Sequence, residues 1–370
     1  MKSLKTPVLL SALLALAPGA LSQCFNDTLT YSSTQSLTST VQFTSCDEAA
    51  DGPRVFPIDL TSYDWWYFDT VSDDGTQALT IIFFASSFLG FSNTASIEDI
   101  LNVAIAATFP NGTQVSQTAL ATSVTVNTIG NGASGDWAGS GCSFTGTPDL
   151  SQYAITINNP SLGISGTVDF VSIKKRGPGH YPCSPLVGGA DEQIMPHVGW
   201  ANVLPAADAT VHMNFGGSPM NFQGNGYHDK NWGDIPFVSA VQSWYWGHGT
   251  FGDYHMVWYD ALDSTGSETV SGYLLKDGQV VGSTCALGSA GLQVRPVGTP
   301  YPPTLLTPNP DQFTIVMKLD NGAILNATVT PYNTQVDSAT YSRWFGNIAV
   351  SLNGIESSGS ALWEQFKLVL

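Results

Sequence analysis

Asn102-Val103-Ala104-Ile105-Ala106-Ala107-Thr108-Phe109, then Asn111-Gly112, then a second apolar-polar run from Thr113 onward: this stretch sets the fold. Asparagine and glycine reach positive φ at little steric cost, so an Asn-Gly pair between two β-leaning runs closes a tight hairpin. The punctuation recurs three times. Asp74-Gly75 precedes the run Ala78 to Phe84, and Asp277-Gly278 separates Tyr273-Leu274-Leu275 from Val280-Val281. Asn321-Gly322 joins Phe313–Leu319 to Ile324–Val329. Four turns of one chemical kind predict an all-β protein of antiparallel strands, arranged as a meander, sandwich or barrel. No long 3.6-residue periodicity competes with this reading. Glu98 to Leu101 is at most a short helix. The tail Ala361–Leu370 reads both ways: Trp363, Phe366 and Leu370 fit a helical face, while Phe366-Lys367-Leu368 alternates as a strand does.

Composition narrows the class. Of 370 residues, 11% are charged and 43% are hydrophobic, with 10 Trp, 13 Tyr and 18 Phe. So much aromatic surface supports a packed core and excludes disorder. The 37 glycines and 21 prolines agree with a turn-rich β chain. A formal charge of -17 repels phosphate backbones and anionic headgroups, so neither nucleic acid nor a membrane surface is an expected partner. The expected partner is a hydrophobic small molecule; the sequence leaves the oligomeric state open.

The N-terminus has the form of a secretory leader. Lys2 and Lys5 precede an apolar run from Val8 to Ala17, and Ala20-Leu21-Ser22 offers small residues to a signal peptidase. Cleavage is expected after Ser22, and the mature chain is expected to be secreted or to reside in the secretory lumen. Pro18 breaks the run short of the ~20 apolar residues a membrane anchor needs, and no other segment is apolar enough to span. Five cysteines remain: Cys24, Cys46, Cys142, Cys183 and Cys285. An oxidising compartment favours one or two disulfides and a spare thiol. Cys24–Cys46 is the simplest pairing, since it pins a loose arm. Sequons place candidate glycans on Asn26, Asn111 and Asn326.

Two β domains are expected, at residues 23–235 and 236–370, after the leader at 1–22. A weak internal echo supports a duplication: Asp64-Trp65-Trp66-Tyr67-Phe68 opens one strand block and Ser243-Trp244-Tyr245-Trp246-Gly247-His248 opens another. Two Pro/Gly-rich stretches, Gly177 to Gly189 and Pro296 to Pro310, read as ordered surface loops or lids, because each carries an aromatic (Tyr181; Tyr301).

Motifs of covalent and metal chemistry fail on context. Gly130-Asn131-Gly132-Ala133-Ser134-Gly135 matches the dinucleotide fingerprint, but Asp136-Trp137-Ala138-Gly139 follows it and starts no helix to hold a pyrophosphate. The six histidines form no HxH, HxxxH or HExxH pair, and neither a CxxC nor a G-x-S-x-G elbow occurs. No metal and no cofactor are expected.

The densest polar-aromatic block is Gly224-Asn225-Gly226-Tyr227-His228-Asp229-Lys230-Asn231-Trp232-Gly233. Strand alternation puts Tyr227 and Asp229 on one face and His228 and Lys230 on the other. A glycine-edged turn whose His and Asp cap backbone groups is the competing reading. Trp244, Trp246 and His248 share a face at spacing two, as do His255, Val257 and Tyr259. Tryptophan stripes usually fill cores. A histidine on the same face needs a partner or water, which favours a cavity wall.

These blocks (Asp64-Trp65-Trp66-Tyr67-Phe68-Asp69 with Asp73-Asp74-Gly75, the Gly226 to Gly233 run, and Trp244 to His248) resemble the hydroxyneurosporene synthase-like group that includes fungal Diels–Alderases. The resemblance spans about residue 50 to the end. It implies two lipocalin-like β domains, a substrate pocket between and inside them, and no cofactor. The leader departs from the cytosolic decalin-forming members and looks more like the secretory hetero-Diels–Alderases of tropolonic sesquiterpenoid pathways. The implied reaction joins a tropolone quinone methide to a macrocyclic terpene such as humulene. A cycloaddition needs two π-systems held in reacting geometry, and neither nucleophile nor base. Trp66, Trp232, Trp244, Trp246, Tyr259 and Trp344 are the candidate walls. His228, His248, Tyr67, Tyr227, Lys230 and Arg343 are the candidate donors to a conjugated carbonyl; if the diene forms by loss of water, a histidine also serves as general acid. Two other classes stand beside this one. A secreted glycoside hydrolase or lyase would use paired carboxylates from Asp64, Asp69, Asp229 or Asp234. A non-catalytic carrier of a hydrophobic molecule would use the same pocket with no chemistry.

Overall fold

The computed structural model describes residues 28–45, 50–91, 99–173, 180–181, 184–185 and 191–370. The leader, Asn26, Cys24, Cys46, Cys183 and most of Gly177 to Gly189 lie outside them, and so does the Cys24–Cys46 pairing. Cys142 is a buried free thiol, its pKa pushed up to about 11 by burial. Cys285 is disulfide-bonded.

Among the described residues nearly everything regular is strand; the helical exceptions are Phe237–Ala240 and the single turn Gly288–Ala290. A sheet of 15 strands draws on the chain from Thr28 to Gly233, where Thr40–Val41 and Val55–Phe56 form a separate two-stranded ladder, and a sheet of nine holds Val241 to Lys367. All pairings within both are antiparallel. All four dipeptides predicted to turn do so. Asn111-Gly112 joins Leu101–Thr108 to Gln114–Leu120, and Asn321-Gly322 joins Gln312–Lys318 to Ile324–Asp337. Gly130 likewise sits in a hairpin, between Ser123–Ile129 and Gly132–Ala138, which disposes of the dinucleotide reading.

Two local readings are decided by the pairing. Leu101 opens a strand, because its neighbour Ala78–Ser86 takes its backbone hydrogen bonds from Ala85 onward; Asp99 and Ile100 are not helical. The C-terminal tail is strand rather than helix. Ile355–Lys367 pairs on one edge with Tyr341–Leu352 and on the other with Val241–Phe251, and two ladders outweigh a local helical preference.

The tryptophan-rich blocks occupy equivalent places. Tyr63–Ser72 is hydrogen-bonded to the next strand, Ala78–Ser86, and to the last long strand of its sheet, Ser218–Gly233. Val241–Phe251 is likewise bonded to Tyr254–Asp263 and to Ile355–Lys367. Each sheet curls around its own core, and a third aromatic cluster joins them, drawing Tyr63, Trp65 and Tyr67 from one and Trp244, Trp246 and Phe366 from the other. Polar ties cross the same seam: Tyr273 donates to Asn202 at 2.7 Å, and Thr80 donates to Gln335 at 2.8 Å.

Candidate active site

The Gly224 to Gly233 block is the second half of the strand Ser218–Gly233, not a turn. Its glycines let other groups approach: a Cβ on Gly226 would lie 2.5 Å from the Phe170 ring. Alternation then sorts the side chains as expected. His228, Lys230 and Trp232 point into the core of the larger sheet, while Tyr227, Asp229 and Asn231 point toward the seam between the sheets.

A cavity of about 390 Å³ lies in that seam. Trp65, Tyr67, Ile82, Phe84 and Phe91 wall it from the larger sheet, with Asp229 and Asn231. Trp244, Trp246, Tyr341, Arg343, Glu364 and Phe366 wall it from the smaller, and Phe237 and Val238 come from the connecting helix. Its size and its few convergent polar groups in an aromatic wall are those of a small-molecule site.

Asp229 is the chemically unusual group. Its Oδ2 accepts from Trp200 Nε1 at 2.7 Å and lies 2.8 Å from the Tyr227 hydroxyl, while among the described residues Oδ1 accepts only Asn231 Nδ2, at 3.2 Å. Burial pushes its pKa up to about 8; the Trp200 and Tyr227 hydrogen bonds oppose the rise, and the carboxylates of Glu364 and Asp69 add to it. Burial therefore favours the neutral form of this carboxyl. Tyr227 also lies 2.5 Å from Asn202 Oδ1. One hydroxyl proton cannot serve both acceptors. The hydroxyl therefore donates to one of the two at a time.

Opposite stand Arg343 and Glu364. Arg343 Nε donates to Glu364 Oε1 at 2.8 Å, and Tyr341 donates to the same oxygen at 2.6 Å. The guanidinium sits 5.4 Å from the ring centres of both Tyr67 and Tyr341. The Tyr67 hydroxyl and Trp244 Nε1 are buried with no hydrogen-bond partner among the described residues. An unmade buried hydrogen bond costs roughly 1–3 kcal/mol, so these two atoms carry a cost that the surrounding aromatic packing offsets.

Of the residues expected at the site, Tyr67, Trp244, Trp246 and Arg343 line the cavity. Tyr227 and Tyr259 stand behind the wall, Tyr227 against Asp229 and Tyr259 edge-on to Trp244. His248 lies deeper in the seam, 2.8 Å from Asp69 and stacked on Tyr227. His228, Lys230, Trp66 and Trp232 fill the larger sheet's core, and Trp344 that of the smaller, away from the cavity. Asn111 and Asn326 are exposed. Asp64, Asp69 and Asp234 pair with Lys230, His248 and His197 respectively, and none of the three lines the cavity, although Asp69 is near enough to Asp229 to act on its carboxyl. The sequence reading missed Asn231, Tyr341, Glu364, Phe366, Trp65, Phe84, Phe91 and Phe237. Parity was the usable signal for Trp65 and Asn231, which share faces with Tyr67 and Asp229; for Glu364 there was none.

A sequence profile described as Diels-Alderase-like matches residues 21–290. The chain belongs to the Diels-Alderase-like family. The family is one of enzymes. The match covers the whole larger sheet and the opening strands of the smaller. A quinolone epoxide rearrangement protein of Emericella nidulans is 33% identical over 338 residues, covering 89% of this chain and 90% of its own. A Diels-Alderase of Chaetomium globosum is 27% identical over 199 residues, covering 52% and 44%. The crystal structure of CghA with Sch210972 superposes with a TM-score of 0.73 at 16% identity, covering 94% of this chain and 99% of CghA. This Diels-Alderase-like protein thus shares the two-sheet architecture of CghA, with lipocalin-like β domains meeting at the seam.

Proposed function

We propose that this pericyclase-family enzyme carries out an acid-assisted (hetero-)Diels–Alder cycloaddition in the cavity between its sheets, joining a tropolone quinone methide to a humulene-type terpene. One observation carries the reading: Asp229, a carboxyl at the wall of an aromatic cavity with no cation paired to it among the described residues, its pKa pushed up to about 8 by burial. Asp229 protonates the hydroxyl of a tropolone carbinol, the C–O bond breaks and water leaves. The ring hydroxyl gives up its proton, returning one to Asp229, and the neutral quinone methide remains. The terpene alkene then adds across it with no further proton transfer. General acid assistance of this kind is worth about 10²–10⁴ in rate. Holding both partners in reacting geometry supplies up to roughly 7–11 kcal/mol of the bimolecular barrier. Trp244, Trp246, Trp65 and Phe366 provide the flat walls; the leader and sequons support the secretory pathway as the place of reaction.

A second reading is favoured by the long alignment to the quinolone epoxide rearrangement proteins. The same acid would protonate an epoxide oxygen, the benzylic C–O bond would open, a neighbouring group would migrate, and the hydroxyl proton would return to Asp229 as a carbonyl forms. Both readings begin with an oxygen leaving group protonated by Asp229. The test incubates the enzyme with tropolone carbinol plus humulene, and separately with a quinolone epoxide, and measures yield and enantiomeric excess. A single enantiomer from one substrate set identifies the reaction. Racemic product from both, at the uncatalysed rate, would make the protein a carrier.

A further inference from the structure

Arg343 and Glu364 face each other directly across the ladder between Tyr341–Leu352 and Ile355–Lys367, so the backbone register fixes them side by side on the cavity wall. Their internal pairing is incomplete. Glu364 Oε1 takes both Arg343 Nε and the Tyr341 hydroxyl, and no hydrogen bond among the described residues reaches Oε2. Arg343 spends Nε on Glu364 and Nη1 on Gln335 at 3.3 Å, with the Tyr341 hydroxyl also against the guanidinium, and no hydrogen bond is assigned to Nη2 among the described residues. Both side chains line the cavity. The Tyr67 and Tyr341 rings hold the guanidinium plane from two directions. The wall thus presents one fixed donor and one fixed acceptor next to each other.

We propose that this pair is the recognition edge of the cavity, and that the substrate class is a planar conjugated ring whose edge carries a hydrogen-bond donor beside a carbonyl. Arg343 Nη2 donates to the carbonyl oxygen, and Glu364 Oε2 accepts from the neighbouring N–H or O–H. A cyclic cis-amide and a ring α-hydroxyketone both present that edge. A ring bearing acceptors alone leaves the carboxylate facing another oxygen, which both loses a charge-assisted bond and adds repulsion. The inference rests on the reading of the cavity as the reaction site, yet it concerns binding and not the acid step.

The experiment measures binding by tryptophan fluorescence quenching or calorimetry. The probes are 2-quinolone and its N-methyl derivative, and tropolone and its O-methyl ether. Wild-type protein is expected to bind at least one free ring about tenfold or more tighter than its methylated partner. 2-Quinolone discriminating assigns the cis-amide; tropolone discriminating assigns the hydroxyketone. Glu364→Gln is expected to shrink the ratio to about twofold or less, because a neutral amide can turn either its donor or its acceptor to the ligand. Asp229→Asn is expected to keep the ratio, which separates recognition from catalysis. Thermal melting checks the fold of each variant. Should Glu364→Gln not fold, Arg343→Lys is expected to weaken the free rings about tenfold, since an ammonium lacks the fork. Equal binding of free and methylated rings, a ratio that survives Glu364→Gln, or no binding of either ring at millimolar concentration would overturn the proposal.

Discussion

The two faces of the strand Ser218–Gly233 carry equally polar residues to opposite ends. On the inner face Lys230 is sealed between the Trp66 and Trp232 rings, 4.5 and 4.8 Å from their centres, and is ion-paired with Asp64. Asp64 also accepts the Arg54 backbone N–H at 2.7 Å, and Arg54 itself pairs with Glu192 at 2.6 Å. His228 stacks on Phe68 at 3.8 Å and lies 3.2 Å from Asp51. There Lys230 and Arg54 each face a carboxylate. On the outer face Asp229 has hydrogen bonds but no cation paired with it among the described residues. A buried carboxyl without a counter-charge keeps its proton. Polarity alone does not mark a site; uncompensated polarity beside open space does.

The contrast breaks most sharply at Asp229. Asp229→Asn keeps the shape and most of the hydrogen bonds but has no acidic proton, so turnover is expected to fall about 10²–10⁴-fold, read as product formed per folded enzyme. Lys230→Met tests the other face. Removing one member of a buried pair leaves Asp64 uncompensated, with an expected loss of about 3–5 kcal/mol in urea unfolding and no loss of turnover per folded molecule.

A pH series sharpens the comparison further. The Asp229 pKa is higher in the folded chain, about 8, than in an unfolded one, roughly 4. Its contribution to stability is complete below about pH 4 and is lost as pH rises to about 8. Unfolding midpoints at pH 6 and pH 9 should therefore show Asp229→Asn gaining on the wild type at the higher pH. Asp260, also raised to about 8 mainly by burial, adds a slope of the same sign that the variant retains. Turnover of the wild type should decline with a single ionisation near pH 8. The smallest effect is expected from Tyr227→Phe. The Tyr227 hydrogen bond lowers the Asp229 pKa, so its loss should move that declining limb to higher pH, with a modest change in the maximal rate. An unmoved limb would mean that a different group sets it.

Much of the fold was legible because hairpin chemistry is local. Asn111-Gly112 and Asn321-Gly322 turn the chain through their own backbone preferences, and the runs beside them alternate whatever they pack against. The tail at Trp363 was illegible for the converse reason: its helical and strand patterns overlap, and only the ladders on both sides choose. At the site, alternation separated Tyr227 and Asp229 from His228 and Lys230 correctly but could not say which face met open space. Lys230 and Trp232 look like site residues by type, since a lysine among tryptophans suggests a donor in a cavity. They prove to be a sealed ion pair and its packing.

By itself, the sequence determined an antiparallel two-part β protein with aromatic strands at its centre, because turn propensity and period-two alternation are written within a few residues of each other. The tertiary structure decided which of two polar faces became chemical. Glu364 and Asp229 are 135 positions apart in the chain, and only the closure of two sheets against each other sets them on one cavity. Desolvation by that closure, a property of everything packed around a group and of no segment alone, is what keeps the proton on Asp229.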